Sequence, residues 1–175
     1  MTPEERLRFA IPNGTMYAHK VMRINYTSYD LRRCQDSVNP RTHADIMVLS
    51  PLKEAERPYW FARVVGIFHV NVAYGDDPER VMFFLWIRWF GHDYQYPSGF
   101  KHKRLPRIGF LPDNEDPMGF VDPDDVIRAA HIMPAFRYGR TDIYLGPSIA
   151  RIPQAEGRTD KECDDEDWTY YYVGV

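Results

Sequence analysis

The sequence predicts a mostly β fold with one short helix and long loops, built on one long β-hairpin. From Trp60 to Tyr74 every second residue is small or apolar, which is the period of a strand with one buried face. Residues 75–78 (GDDP) are turn formers, and residues 81–90 return as a run of β-branched and aromatic residues. We expect residues 60–74 and 80–90 to pair as antiparallel strands, with a shared set of buried side chains: Ala62, Val64, Phe68 and Val70.

The return strand of this hairpin is apolar at both odd and even positions. Two explanations are open. Either a second layer covers its other face, or Trp86, Trp89 and Phe90 are partly exposed to bind a ligand.

Shorter strands flank the hairpin. Residues 1–43 have no sustained period and are interpreted as an arm packing on a domain of residues 44–175, although residues 22–29 could add a strand. The run ADIMVLS at residues 44–50 predicts one strand, and RIGFL at residues 107–111 predicts another.

The clearest helix start is at Asp122. A capping aspartate is followed by Pro123 at the first helical position and by two further acids, Asp124 and Asp125, which suit the positive end of the helix dipole. Beyond a long loop at residues 138–167, WTYYYV at residues 168–173 predicts a closing strand.

Composition limits the class of protein. With 175 residues, of which 44% are hydrophobic and 15% aromatic, one substantial core is expected. No apolar run reaches the ~20 residues of a membrane span, and the first residues lack the apolar core of a signal peptide. Cys34 and Cys163 have no metal-ligand spacing, so free thiols in a reducing, intracellular compartment are expected.

Charge is unevenly distributed although the net charge is only −3. Residues 156–167 are strongly acidic and predict a solvated loop. A local basic patch is the candidate nucleic-acid surface, because cations beside aromatic residues can neutralise phosphates and stack on bases. Its members are Arg88, Lys101, Lys103, Arg104 and Arg107.

An aromatic cage is the second candidate site, because aromatic ring faces attract a cation within ~6 Å of the ring centroid. Asp93 or Glu56 would supply an anionic partner. The alternative is that the tryptophans belong to the core, where large aromatic residues usually lie. The candidate ligand-binding residues are Tyr59, Trp60, Trp86, Trp89, Asp93, Tyr94 and Tyr96.

No catalytic motif is present. The sequence has no GxSxG, HExxH or GxxxxGK[ST] pattern and no paired histidines at helical spacing. We therefore predict a non-enzyme with no catalytic residue, no metal site and no cofactor, and we interpret Asp122, Asp124 and Asp125 as cap and dipole residues.

The order of these motifs describes an SH3-like, partly open β-barrel and resembles the bromo-adjacent homology (BAH) domain of chromatin proteins. The resemblance lies in YWFARVVGIF at residues 59–68, WIRWFGHD at residues 86–93, and RIGFL with the later VDPDDVIRAAHI at residues 121–132. The chain departs from the family pattern at Gly91-His92, where Arg-Pro is usual, and at Ala129-Ala130-His131, where Gly-Lys-Cys is usual.

A more specific resemblance is to the C-terminal regions of proteins encoded by basidiomycete DNA transposons of the Plavaka and Kyakuja-Dileera-Zisupton kinds. It is carried by YDLRRCQDSVNPRTHADIMVLS at residues 29–50, FLWIRWFGHD at residues 84–93 and FVDPDDVIRAAHIMPAF at residues 120–136. In such proteins an RNase H-like catalytic domain lies upstream, so the resemblance implies a non-catalytic tail.

Two functions follow as hypotheses. The first is a nuclear module that binds chromatin or another protein, with a histone tail laid along an exposed strand edge and an aromatic rim that holds one side chain. The alternative is a DNA-binding accessory domain of a transposase that uses the basic loop.

Overall fold

A computed structural model describes residues 8–27, 32–50, 58–75, 77–144 and 167–174. The fold is mostly β, as predicted, and the helical elements in these ranges are single 3-10 turns. The strands in these ranges, in chain order, are β1 (Phe9–Ala10), β2 (Met16–His19), β3 (Met22–Thr27), β4 (Arg33–Val38), β5 (Asp45–Leu49), β6 (Tyr59–Tyr74), β7 (Arg80–His92), β8 (Arg107–Phe110), β9 (Met118–Val121), β10 (Val126–Ala129), β11 (His131–Pro134), β12 (Arg140–Thr141), β13 (Asp167–Trp168) and β14 (Tyr171–Gly174).

The long hairpin of β6 and β7 is the centre of the fold. Its antiparallel pairing runs from Phe61 opposite Phe90 to Val72 opposite Arg80, which confirms the predicted pairing. Gly75 has a φ of 57° in the connecting turn, a conformation that a residue without a Cβ adopts at little cost.

The main sheet spreads outward from this hairpin. Among the described residues its path is β10-β5-β6-β7-β8-β14-β11, with β1 and β2 also paired to β6 and β9 also paired to β7. The path ends at β10 and β11, so the sheet is open and does not close into a barrel. Two separate pairs, β3 with β4 and β12 with β13, complete the described strands.

The two faces of the sheet bury different residues. On face one, aliphatic side chains of the hairpin and β5 pack against Ile24 of β3 and Val38 of β4. On face two, Phe61 and Phe90 pack against Phe110, Tyr171 and other residues of β8 and β14. Of the two explanations left open for the return strand, a second layer on its other face therefore holds over its C-terminal half, where Phe90 is buried.

A β-bulge divides the hairpin and corrects one prediction. Val64 lies opposite Ile87 but Gly66 lies opposite Trp86, so Val65 is an extra residue that reverses the alternation beyond it. Ala62, Val64 and Val70 are buried as predicted, whereas Phe68 is only half-buried. The bulge places the Phe68 ring over Gly66 on face two, where a Cβ on Gly66 would lie only 2.3 Å from it.

The described part of the segment before residue 44 pairs with the main sheet and packs on it. β1 and β2 pair with β6, and β3 and β4 supply Ile24 and Val38 to the core on face one. Residues 8–27 and 32–43 therefore fold together with the domain that was predicted to begin at residue 44.

The predicted cap at Asp122 is confirmed, since its Oδ1 accepts a hydrogen bond of 3.0 Å from the backbone N–H of Asp124. The helix is a single 3-10 turn, Pro123–Asp125, and β10 follows at once.

The C-terminal prediction needs two corrections. The closing strand is split into β13 and β14, and Asp167, predicted to be part of a solvated loop, is buried in β13. Residues 156–166 of the acidic loop and Cys163 lie outside the described residues. Cys34 is half-buried and has a free thiol.

Candidate functional site

The tryptophans and Tyr59 do not form a cage together. Trp60 and Trp89 meet edge to face, with centroids 5.6 Å apart, against the core of face one. Tyr59 packs with the core of face two, and Trp86 lies opposite Phe120 in the β7–β9 pair. All four side chains are half-buried. Trp60 and Trp89 agree better with the alternative prediction, that the tryptophans belong to the core, than with a ligand cage.

Tyr96 and Asp93 do belong to an aromatic cage, but Arg107 of the same chain occupies it. The guanidinium carbon lies 4.2, 4.4 and 4.7 Å from the ring centroids of Tyr96, Tyr170 and Tyr138. Its Nη2 is 2.6 Å from Asp93 Oδ2. Burial alone would lower the pKa of Arg107, yet the hydrogen bond and ion pair with Asp93 raise it above its ordinary value. Arg107 therefore remains charged and fills the position predicted for a ligand cation.

Tyr94 is the most exposed member of the predicted aromatic set. The residue is 70% exposed, and its ring meets the His92 ring edge-on with centroids 6.4 Å apart. A single exposed tyrosine does not make a cage, which needs at least two ring faces around the cation.

The predicted basic patch is also divided. Arg88 is buried and makes two hydrogen bonds, of 3.1 and 2.8 Å, to Asp167, so it cannot contact nucleic acid. Arg107 is held in the cage. Lys101, Lys103 and Arg104 are exposed, on and just after the 3-10 turn Phe100–His102.

Arg63 is a half-buried charge at a position outside the apolar alternation of residues 60–74. It forms a bidentate ion pair with Asp45 and lies over the rings of Phe110 and Tyr171 at 5.1 and 5.6 Å. Burial would lower the pKa of Arg63, but Asp45 outweighs that effect and raises it. The sequence contains only a weak signal for the ion pair of Arg63 with Asp45. The alternation of apolar residues shows which residues share a face of the sheet, but it does not show that both faces are covered.

One feature that the sequence pattern did not reveal is an open edge on β7, defined as Arg80–Phe84. Along β7, β8 pairs with residues 90–92 and β9 pairs with residues 85–88, and no described strand pairs with the outer side of Arg80–Phe84. Three apolar side chains on this edge are exposed: Val81, Met82 and Phe83. Backbone groups that have no strand partner among the described residues thus lie beside exposed apolar side chains.

A groove of about 460 Å³ adjoins the open edge. Ile67 and Met22 line it from face one, and the acids Asp122 and Asp124 line it from the turn that follows β9. The complete lining is His19, Val21, Met22, Ile67, Val81, Met82, Phe83, Asp122, Pro123 and Asp124.

A histidine pair flanks the groove. His19 Nε2 and His69 Nδ1 share a hydrogen bond of 2.6 Å, and Tyr17 stacks on His69 with centroids 4.6 Å apart. Phe83 of the open edge contacts both histidine rings, at 5.9 and 5.4 Å. These contacts fix the aromatic wall on the β2 side.

Comparison of the chain with protein-family models, with curated proteins and with solved structures gives no match. Within the described ranges no three His, Cys, Asp or Glu side chains are placed to hold a metal ion. None of the described helical turns is long and apolar enough to cross a membrane.

Proposed function

We propose that this chain is a non-catalytic protein-binding module that takes up an extended segment of its partner as an added β-strand. The observation that carries the proposal is the open edge at Arg80–Phe84, with Val81, Met82 and Phe83 exposed. Unpaired backbone N–H and C=O groups along a strand edge form a template for another strand.

The site has the dimensions of a short peptide. Five residues of strand span roughly 17 Å at about 3.3 Å per residue. The alternate side chains of an added strand would point to opposite faces of the sheet, some into the groove over Ile67 and the others beside Phe84 and Phe120 on face two. Main-chain hydrogen bonds would provide affinity, and the groove would provide selectivity.

We assign the fold as an SH3-like, partly open barrel of the BAH kind, supported by the order of the long hairpin, the capped turn at Asp122 and the late closing strand β14. The partner proposed on this basis is a chromatin protein, bound for example through a histone tail. The chain would then be part of a transposon-derived protein that acts in the nucleus. We place the docking surface at the open edge and not at the aromatic rim predicted from the sequence, because Tyr96 and Asp93 of that rim already bind Arg107.

An array of histone-tail peptides, followed by titration of the peptides that bind, tests this function. The variant Val81→Lys with Phe83→Lys should abolish binding, because charge on an edge strand opposes pairing. Charge reversal at Lys101 and Lys103 is the matched control and should leave binding unchanged. If the control variant lost binding while the edge variant still bound the peptide, the open edge would be refuted as the site. Thermal unfolding of both variants establishes that they are folded.

DNA binding by the basic loop is the second candidate function, favoured by the exposure of Lys101, Lys103 and Arg104. Three phosphate contacts would make the logarithm of affinity fall with the logarithm of salt concentration with a slope of about −3. Charge reversal at these three residues should abolish that affinity, and an equal affinity in the variant would exclude this loop.

A further inference from the structure

We infer that the segment bound at the open edge is basic: it carries a Lys or Arg side chain that meets Asp122 and Asp124 and an apolar side chain that enters the groove. This inference rests on the proposed strand addition and specifies the chemistry of the partner.

The acids lie at one end of the open edge. β9 ends at Val121 opposite Leu85, which is the residue after the edge, and the turn with Asp122 and Asp124 follows immediately. Both aspartates are exposed and line the groove. A strand that continued along β7 from the end of β9 would therefore pass beside their carboxylates, which would attract a cationic side chain.

The floor of the groove is apolar. Ile67 is buried beneath it, and Met22, Val81 and Phe83 form its walls. An unbranched cationic side chain suits this arrangement, because its methylene stem can cover apolar surface while its charged end reaches a carboxylate. An acidic segment would meet like charge at the same position.

A second copy of this chain fits the edge less well. If two open edges paired antiparallel, the Phe84 end of one copy would lie beside the Arg80 end of the other. The acids Asp122 and Asp124 would then approach the exposed acids Asp77 and Glu79 of the other copy, with Arg80 as the compensating cation on that strand. Net repulsion between acids favours a basic partner over self-association.

Short blocked synthetic peptides in which Val alternates with Thr test the inference. One internal position is Lys, Gln or Glu in three otherwise identical peptides, and binding to the whole chain is measured by titration calorimetry. We expect the order Lys, then Gln, then Glu. The variant Asp124→Asn should weaken the Lys peptide by about two- to fivefold, as for one exposed ion pair, and leave the Gln peptide unchanged.

Asp125→Asn is the matched control, because Asp125 is an exposed neighbour of the same turn that does not line the groove. Equal binding of the three peptides, or equal effects of the two substitutions, would overturn the basic partner while leaving strand addition intact. Failure of all three peptides, together with insensitivity of histone-peptide binding to Val81→Lys with Phe83→Lys, would overturn strand addition itself. Concentration-dependent dimerisation that Phe83→Lys abolishes would identify a second copy as the occupant.

Discussion

Arg88 in the middle of β7 and Asp167 in β13 form a buried ion pair through two hydrogen bonds of 2.8 and 3.1 Å. The side chains are 1% and 9% exposed, and the guanidinium also lies 3.7 Å from the Phe110 ring centroid. Among the described residues Arg88 Nε has no hydrogen-bond partner, so Asp167 supplies the bonds that offset the burial of this charge. The pair therefore fixes the C-terminal strands to the hairpin.

Removal of Asp167 should destabilise the fold strongly. We expect Asp167→Ala to lower the free energy of unfolding by about 3 to 5 kcal/mol, because it leaves Arg88 buried and unpaired. Asp142→Ala, at an exposed position, should change it by less than about 0.5 kcal/mol. Urea unfolding measures both, and equal values for the two variants would mean that the ion pair does not hold the C-terminal segment.

Substitution of Tyr96, which contacts Arg107 in the cage, should destabilise the fold more than substitution of its neighbour Tyr94. Tyr96→Ala removes a ring 4.2 Å from the guanidinium and should cost about 1 to 2 kcal/mol, whereas Tyr94→Ala should cost less than about 0.5 kcal/mol. Thermal and urea unfolding distinguish them. A larger loss of stability for Tyr94→Ala would contradict the structural role assigned to Tyr96.

The bulge at Val65 makes a prediction about the hairpin core. Leu85→Ala should cost about 2 to 5 kcal/mol, because Leu85 is fully buried on face one. Phe68→Ala should cost roughly half of the 3 to 5 kcal/mol of a fully buried phenylalanine. If Phe68→Ala were the more damaging substitution, the reversal of alternation beyond the bulge would be wrong.

The cap at Asp122 is a local contribution to stability. Asp122→Ala should cost about 0.5 to 2 kcal/mol through loss of the bond to the Asp124 N–H, whereas Asp125→Ala should be close to neutral. Equal stability of the two variants in urea would show that the turn does not depend on its cap.

Tyr171 should make the fold sensitive to alkali. Burial raises the pKa of Tyr171 above its ordinary value of about 10. The stability that the protonated Tyr171 side chain contributes is fully present below the ordinary pKa of about 10. It is lost as pH rises through the higher pKa of the folded state, because the unfolded chain binds the proton less tightly. Between about pH 9 and about pH 11, the free energy of unfolding should fall less for Tyr171→Phe than for the parent. A parallel fall in both proteins would assign the effect to other groups.

The sequence alone determined the strands with strong local patterns. The alternation from Trp60, the turn at residues 75–78 and the apolar return predicted β6 and β7, and the Asp-Pro pair at Asp122 predicted the capped turn. These features depend on neighbouring residues, whose period and backbone preferences can be read directly from the chain.

Tertiary structure decided which charged and aromatic residues are available to bind a ligand. Arg88 and Asp167 lie 79 residues apart, and Arg107 meets Tyr138 and Tyr170 only because β8 pairs with β14. Each of these residues reads as a surface charge or a free aromatic residue until its partner is brought to it. The open edge of β7 likewise depends on where β9 ends, a long-range register that no local pattern specifies.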